Sequence, residues 1–197
     1  MNTSPRLLFF VLSTVFIAGC GGGSGGSAAP ASAVSDNSEL NRSATAEPVT
    51  ILVDGCEVQE YQAAMLEYVN AARGQGRQCG SEFFPAVEPL VYNCPIEPAA
   101  TKHSRDMAEN NFFSHIGSDG LRVGGRVTET GYEWSVVGEN IAAGFNDVAS
   151  VMDGWLESPG HCRNIMDGRF TGVSVVRVDS RSADYPNYWT QVFARPR

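Results

Sequence analysis

Lysine is nearly missing from this chain: Lys102 is the only one, and the other basic residues are arginines scattered along 197 positions. No basic cluster forms, and the formal net charge is −8. A chain of that sign and pattern is a poor partner for nucleic acid and for anionic lipid headgroups. Long apolar runs are also lacking. The one sustained run, Leu7 to Ala18, is too short to cross a bilayer comfortably. There is no HExxH, no CxxC, no strand-to-helix nucleophile elbow and no internal repeat, so the local signatures of zinc peptidases, thiol redox centres and serine hydrolases are all wanting. Histidine is scarce too, with only His103, His115 and His161.

What is present begins with a leader. Arg6, the apolar run and the small residues after it read as a secretory signal over residues 1–19. Ile17-Ala18-Gly19-Cys20 resembles a bacterial lipobox, whose cysteine becomes the acylated first residue. Loss of the leader removes Arg6 and takes the charge to −9. Residues 20–50 are glycine, serine, alanine, proline and scattered charges, a composition that cannot bury enough apolar surface to offset ordering and reads as a flexible tether. About 30 such residues span roughly 30 Å on average and roughly 100 Å at full stretch. Cysteine parity fits the lipid anchor. Five cysteines are an odd count for an exported chain, but with Cys20 acylated, Cys56, Cys79, Cys94 and Cys162 remain for an oxidising compartment. Four cysteines allow three pairings, and their spacing alone does not choose among them.

The folded part is read as residues 51–197. Apolar residues at Val58, Tyr61, Met65, Tyr68, Val69 and Ala72 predict an amphipathic helix over 58–73, closed by Gly74 and Gly76. Leu90-Val91-Tyr92 is a short strand-like piece. A second helix is predicted from Pro98, tolerated in a first turn, to about Phe112, and a shorter one over 123–130. Gly138 to Ala142 reads as a loop. A helix over 148–156 is capped by Asn146 or Asp147 and closed by Pro159 and Gly160, which places His161 on a sharp bend. Two β-branched stretches, 170–178 and 188–194, predict a hairpin around a loop at 180–187. Helices followed by a terminal antiparallel pair make an α+β domain.

His115, His161 and Glu139 all stand at glycine-rich turns, where binding chemistry concentrates. Two imidazoles and a carboxylate could hold zinc or another divalent metal, or act as acid and base. Their setting carries a resemblance. Ala99-x-x-x-His103-Ser104-x-Asp106-Met107-Ala108, Phe112-Phe113-Ser114-His115, Gly138-Glu139-Asn140-Ile141, Ser158-Pro159-Gly160-His161-Cys162-x-Asn164-Ile165-Met166 and Tyr188-Trp189-Thr190-Gln191-Val192-Phe193 occur in order. Together they resemble the CAP superfamily (cysteine-rich secretory proteins, antigen 5 and pathogenesis-related proteins, the SCP domain) in its bacterial extracellular branch, over roughly residues 58–195. The resemblance implies an α-β-α sandwich with a small antiparallel sheet between helices. It also implies a cleft containing His115, Glu139 and His161. The eukaryotic pattern has a further glutamate three residues after the tryptophan matched by Trp155. Ser158 stands there, with Glu157 one residue early, so both are candidate cleft residues. One helical residue turns a side chain by about 100°, and Glu157 is therefore expected to face elsewhere. His103 falls outside the cleft set and is expected apart from it, in the core or on the helix surface. The expected disulfides are Cys79 with Cys162 and Cys56 with Cys94, the first pinning the His161 segment.

Three functions are consistent with these residues. The first is a membrane-tethered binding module for a sterol-like or lipid-like ligand or an envelope protein, as the family resemblance implies, attached through the N-terminal lipid. The second is a hydrolase, using a metal at His115 and His161, or Glu139 acting through a histidine, with Ser104 or Ser114 as the nearby hydroxyls. The third is a purely structural envelope lipoprotein. The first is the preferred reading, with a non-enzymatic role and, after lipidation, the outer membrane of a Gram-negative cell as destination.

Overall fold

A computed structural model of the protein describes residues 50–197; the leader, Cys20 and all but the last residue of the tether lie outside them. Strands β1 (Thr50–Val53) and β2 (Cys56–Gln59) form a hairpin turned by Asp54 and Gly55. Both turn residues have positive φ, 50° and 81°, which glycine takes freely and aspartate tolerates in a two-residue turn. Helix α1 (Glu60–Arg73) buries Met65, Leu66, Val69 and Ala72 at three- and four-residue spacing. It starts two residues later than the periodicity predicts, because Val58 pairs with Ile51 in the hairpin. A second hairpin, β3 (Arg77–Cys79) with β4 (Glu82–Phe84), and the two-residue β5 (Val91–Tyr92) lead to a 3-10 turn at Cys94–Ile96. Helix α2 (Glu97–Glu109) carries Pro98 in its first turn, and α3 (Val123–Glu129) follows. The remaining elements are β6 (Trp134–Ala143), α4 (Val148–Glu157), α5 (Pro159–Ile165), β7 (Gly172–Asp179) and β8 (Asn187–Pro196).

The central sheet runs β5-β7-β8-β6, antiparallel except for the short β5–β7 contact. Alternation along β7 and β8 divides the core in two. Val173, Val175, Trp189 and Phe193 pack with α1, α4 and α5, whereas Val176, Val192 and Ala194 pack with Ile96, Ala99 and Ala100 of the α2 side and Val127 of α3. The result is an α-β-α sandwich. Disulfides join Cys56 to Cys94, with Cα atoms 5.8 Å apart, and Cys79 to Cys162, 5.5 Å apart. The second ties α5 to β3.

Two local readings are corrected. Gly138 to Ala142 is not a loop; it lies in β6, paired with β8 from Val136 to Ala143. Glycine, glutamate and asparagine are poor strand formers, so this strand is imposed by its neighbours. Gly138 is needed there: a Cβ would sit 2.6 Å from the ring of Phe170. Pro159, in turn, opens a helix instead of closing one. The chain is extended at Ser158 (φ −86°, ψ 119°), and Pro159 then takes the first position of α5, where its missing N–H costs nothing. His161 therefore rides in the first turn of a short helix.

Candidate functional site

Neighbouring residues of a strand point to opposite faces, so Glu139 and Asn140 of β6 serve different layers. Glu139 enters the α2 side with its side chain 2% exposed. Its Oε2 accepts a hydrogen bond from Arg126 Nη2 at 2.6 Å, and its Oε1 lies 2.8 Å from His115 Nδ1. Arg126, equally dry, also donates to the backbone carbonyls of Leu121 at 2.6 Å and His115 at 3.3 Å. A carboxylate this deep is tolerable because it has an opposite charge and hydrogen bonds on both oxygens. Nothing in the flanking sequence marks Arg126 for this role, since a lone arginine on a short amphipathic helix looks like a surface residue.

His115 stands on the loop after α2, with half its side chain exposed. That loop is pinned by Asp106, whose carboxylate accepts from the backbone N–H of Ser118 at 2.8 Å, its hydroxyl at 2.6 Å and Asn110 Nδ2 at 2.8 Å. Burial opposes the charge on Asp106, but these donors outweigh it and hold the carboxyl below its ordinary range. Gly117 permits the approach: a Cβ there would lie 2.8 Å from Asp119 Oδ1 and 3.1 Å from Asp106 Oδ2.

The sequence sets His103 apart from this cluster, and the structure corrects that by placing it inside. It is fully buried in α2, with Nε2 3.8 Å from Glu139 Oε1 and Phe112 edge-on at 6.4 Å. The i, i+3 stagger that sends Ala99 and Ala100 into the sheet sends His103 the same way, over the base of β6. Burial, the largest influence, pushes its pKa below the ordinary histidine value, against the pull of Glu139.

On the other face, Asn140 accepts from Asn164 Nδ2 at 2.8 Å and donates to Gln191 Oε1 at 3.0 Å and to the backbone carbonyl of His161 at 3.3 Å. Asn164 also reaches the Glu139 carbonyl at 3.0 Å, and Trp155 Nε1 donates to the Ile141 carbonyl at 3.1 Å. These side chains take the outward carbonyls of the edge strand, clip α4 and α5 to β6, and fix the helix that carries His161. Burial first, then the charge of His115, keeps the His161 pKa low.

Beside His161 lies a groove of about 250 Å³, walled by Phe113, Phe145, Trp155 and Tyr185, with Ile141 to Ala143 along one side and Ser158 among its polar groups. Gly154 makes room for Phe145, whose ring would be 2.9 Å from a Cβ there. Glu157, a candidate cleft residue, does not line the groove; Ser158 does. The helical turn between adjacent residues accounts for the exchange. Neither candidate hydroxyl is poised for attack. Ser104 Oγ is buried against Thr190 Oγ1 and the Val176 carbonyl, and Ser114 Oγ accepts from the Ile116 amide.

The family model of the cysteine-rich secretory protein family, CAP, matches residues 66–193. The chain belongs to this family. Among curated relatives from Bacillus subtilis, the uncharacterized membrane protein YlbC is 33% identical over 106 residues, 54% of this chain and 29% of its own. The uncharacterized protein YkwD is 28% identical over 162 residues, 82% of this chain and 58% of its own. The chain thus spans less than two thirds of the length of either relative. A solved extracellular protein containing an SCP domain, from Bacillus anthracis, is 28% identical with a TM-score of 0.55, covering 68% of this chain and 40% of its own. An outer surface protein of Borrelia burgdorferi shares the fold at 16% identity and a TM-score of 0.55, covering 68% of this chain and 89% of its own.

Around His115 and His161 the described residues do not assemble a three-ligand metal site. Zinc enzymes supply three protein ligands, and among the described residues no three His, Cys, Asp or Glu side chains are grouped for one ion. The one carboxylate within reach of His115, Glu139, is already held on its other oxygen by the guanidinium of Arg126.

Proposed function

We propose that this CAP domain is an extracytoplasmic binding module, tethered to the membrane by an acylated Cys20, whose groove beside His161 takes one apolar group. The observation that carries the reading is the division of labour across β6. Glu139, the buried anion that a hydrolase would need as a base, has both oxygens committed to Arg126 and His115. The adjacent groove is instead walled by four aromatic rings, with His161 and Ser158 as its polar groups. Ligand pockets have this character: mostly apolar walls with a few polar groups that orient the guest.

Size narrows the guest. Pockets for drug-sized ligands run to about 300–1,000 Å³, so a groove of about 250 Å³ suits one end of an aliphatic chain or one large apolar side chain of an envelope partner more than an entire sterol. Tethering by the tract of residues 20–50 would hold the groove near the membrane at a raised local concentration of such groups. In a Gram-negative cell, glycine after Cys20, in place of the aspartate of inner-membrane lipoproteins, directs the protein to the outer membrane. The test is titration with cis-parinaric acid, a fluorescent fatty acid, against the wild type and Ala143→Trp, which fills the groove. Saturable binding that weakens at least about tenfold in the variant is expected. Absence of saturable binding in the wild type, or equal binding by both, would overturn the choice of an aliphatic guest in this groove.

A further inference from the structure

Large apolar side chains exposed singly are ordinary on any surface, and Ile51, Leu52, Tyr68, Phe83 and Val91 are of that kind; none of them lines the groove beside His161. Three others differ. Phe113 and Ile116 stand on the loop after α2, 48% and 41% exposed, and Tyr185 stands on the loop between β7 and β8, 44% exposed. The rings of Phe113 and Tyr185 meet across the two loops with centroids 6.2 Å apart, and both wall the groove. The loops are fastened to each other and to the domain. The Asp184 amide donates to Asn111 Oδ1 at 2.8 Å, the Ser118 amide to Asp106 Oδ2 at 2.8 Å, and Arg126 Nη2 to the His115 carbonyl at 3.3 Å. This rim is held out to solvent already ordered, so little loop entropy is lost on contact. Its charges also cancel. With His115 neutral, Arg122 offsets Asp119 on the first loop and Arg181 offsets Asp184 on the second. Such a rim has no excess charge with which to select an anionic or a basic partner.

We propose that this rim docks on the surface of a zwitterionic bilayer, with Phe113, Ile116 and Tyr185 entering the headgroup boundary and the groove opening toward the acyl chains. A tyrosine suits that boundary, because its ring has an apolar body and a polar tip. The anchor read at Cys20 keeps the domain within reach. The tether ends where β1 begins, at Thr50. At roughly 100 Å of full stretch it exceeds the breadth of a domain of this size, about 40 Å, so the anchor leaves the choice of face to the domain itself. Three side chains would not retain a free protein on a membrane. They suffice to orient one that is already tethered there, where the effective concentration of lipid is high. The sheet order β5-β7-β8-β6 puts β5 at the edge away from the groove strand β6, so β5 should face water.

The docking rests on the lipid-anchor reading and not on the choice of guest. The experiment is quenching of an added tryptophan by lipids brominated high on their acyl chains. The full acylated chain is reconstituted in vesicles of phosphatidylcholine and phosphatidylethanolamine. Ile116→Trp puts the probe on the rim but outside the groove wall, and Val91→Trp puts it on β5, at a position 53% exposed. Wild type supplies the background of Trp134, Trp155 and Trp189. Above that background, quenching should be at least about threefold greater for Ile116→Trp than for Val91→Trp. Amide exchange of the wild type needs no substitution. On the vesicles it should slow in residues 112–118 and 181–186, and stay unchanged in β5, relative to Cys20→Ser in solution. Equal quenching of the two probes, or unchanged exchange in both loops, overturns the docking and leaves the anchor standing. Unquenched probes together with self-association that Ile116→Asp abolishes would assign the rim to a second copy of the chain and also overturn it. A wild type that does not float with the vesicles ends the docking and the anchor together. Docking by a protein that never binds cis-parinaric acid supports the rim and sinks only the guest.

Discussion

Arg126→Met tests whether the core of the site is an ion pair or merely a contact. The substitution keeps the volume and removes the charge, leaving Glu139 with its side chain 2% exposed and only half-exposed His115 on one oxygen. Breaking a buried pair from one side costs about 3–5 kcal/mol, because the remaining charge has lost its compensation. Arg126 also donates to the Leu121 and His115 carbonyls, which places the loss toward the upper part of that range. For a domain of this size each kcal/mol shifts Tm by roughly 2–4 °C, so a fall of about 6–20 °C is expected. Glu139→Gln alone should be costly for the mirror reason, an unpaired buried guanidinium. The double variant should recover much of the loss, since two neutral groups replace two charges. Urea denaturation of all four proteins, with disulfides intact, gives the coupling energy directly. A single-variant loss below about 1 kcal/mol, or strictly additive losses, would refute the buried pair as the organiser of the site.

Burial depresses the pKa of both His103 and His161, so the unfolded chain takes up protons more readily than the fold once the pH falls below about 6.5. Stability should be full above that value and decline below it by up to about 1.4 kcal/mol per pH unit per histidine, and a Tm that is flat between pH 7 and pH 5 would contradict this. Asp106, Asp119, Asp147 and Asp167, whose pKa values are lowered, add their own loss only as the pH falls below about 4. Cys79→Ser with Cys162→Ser opens a bridge between residues 83 apart in sequence. The chain-entropy model gives that bridge about 4.5 kcal/mol, and a loss below about 1 kcal/mol in urea would show that α5 holds itself in place. Cys20→Ser should move the protein from the membrane fraction to the soluble fraction with Tm unchanged, as read by fractionation and melting; a variant that stays on the membrane would end the lipid-anchor proposal.

The layers of this fold are legible because burial writes itself into spacing. Met65, Val69 and Ala72 repeat at helical intervals, and the valines of β7 are β-branched and alternate, so the helix and the hairpin can be placed from the sequence to within a few residues. What escapes is whatever tertiary contact decides against local preference. Gly138-Glu139-Asn140 is a strand because β8 pairs with it and Phe170 fills the space above its glycine, neither of which has a local signal. Pro159 marks a helix boundary, but the same proline can end one helix or begin the next. In the site, the motif residues His115, Glu139 and His161 can be named through family resemblance, and the structure pairs the first two directly. Arg126 and His103 cannot be assigned their places, because the charge on Glu139 recruits them across 13 residues and 36 residues of sequence. Asn164 holds α5 to the sheet through the Glu139 carbonyl and Asn140 Oδ1, hydrogen bonds that no periodicity predicts.

Whether the groove beside His161 takes an aliphatic guest is decided most sharply by an amide NMR titration of the domain with cis-parinaric acid, mapped residue by residue. Shifts centred on Ala142, Ala143, Phe145 and His161, with the Arg126 and Glu139 signals still and the ion pair intact, are the predicted result. The competing location is the larger cavity of about 670 Å³ on the outer face of α2, bordered by Thr101, Lys102 and Arg105. Shifts centred there, or no saturable shifts near His161 at any ratio of probe to protein, would contradict the proposed binding site.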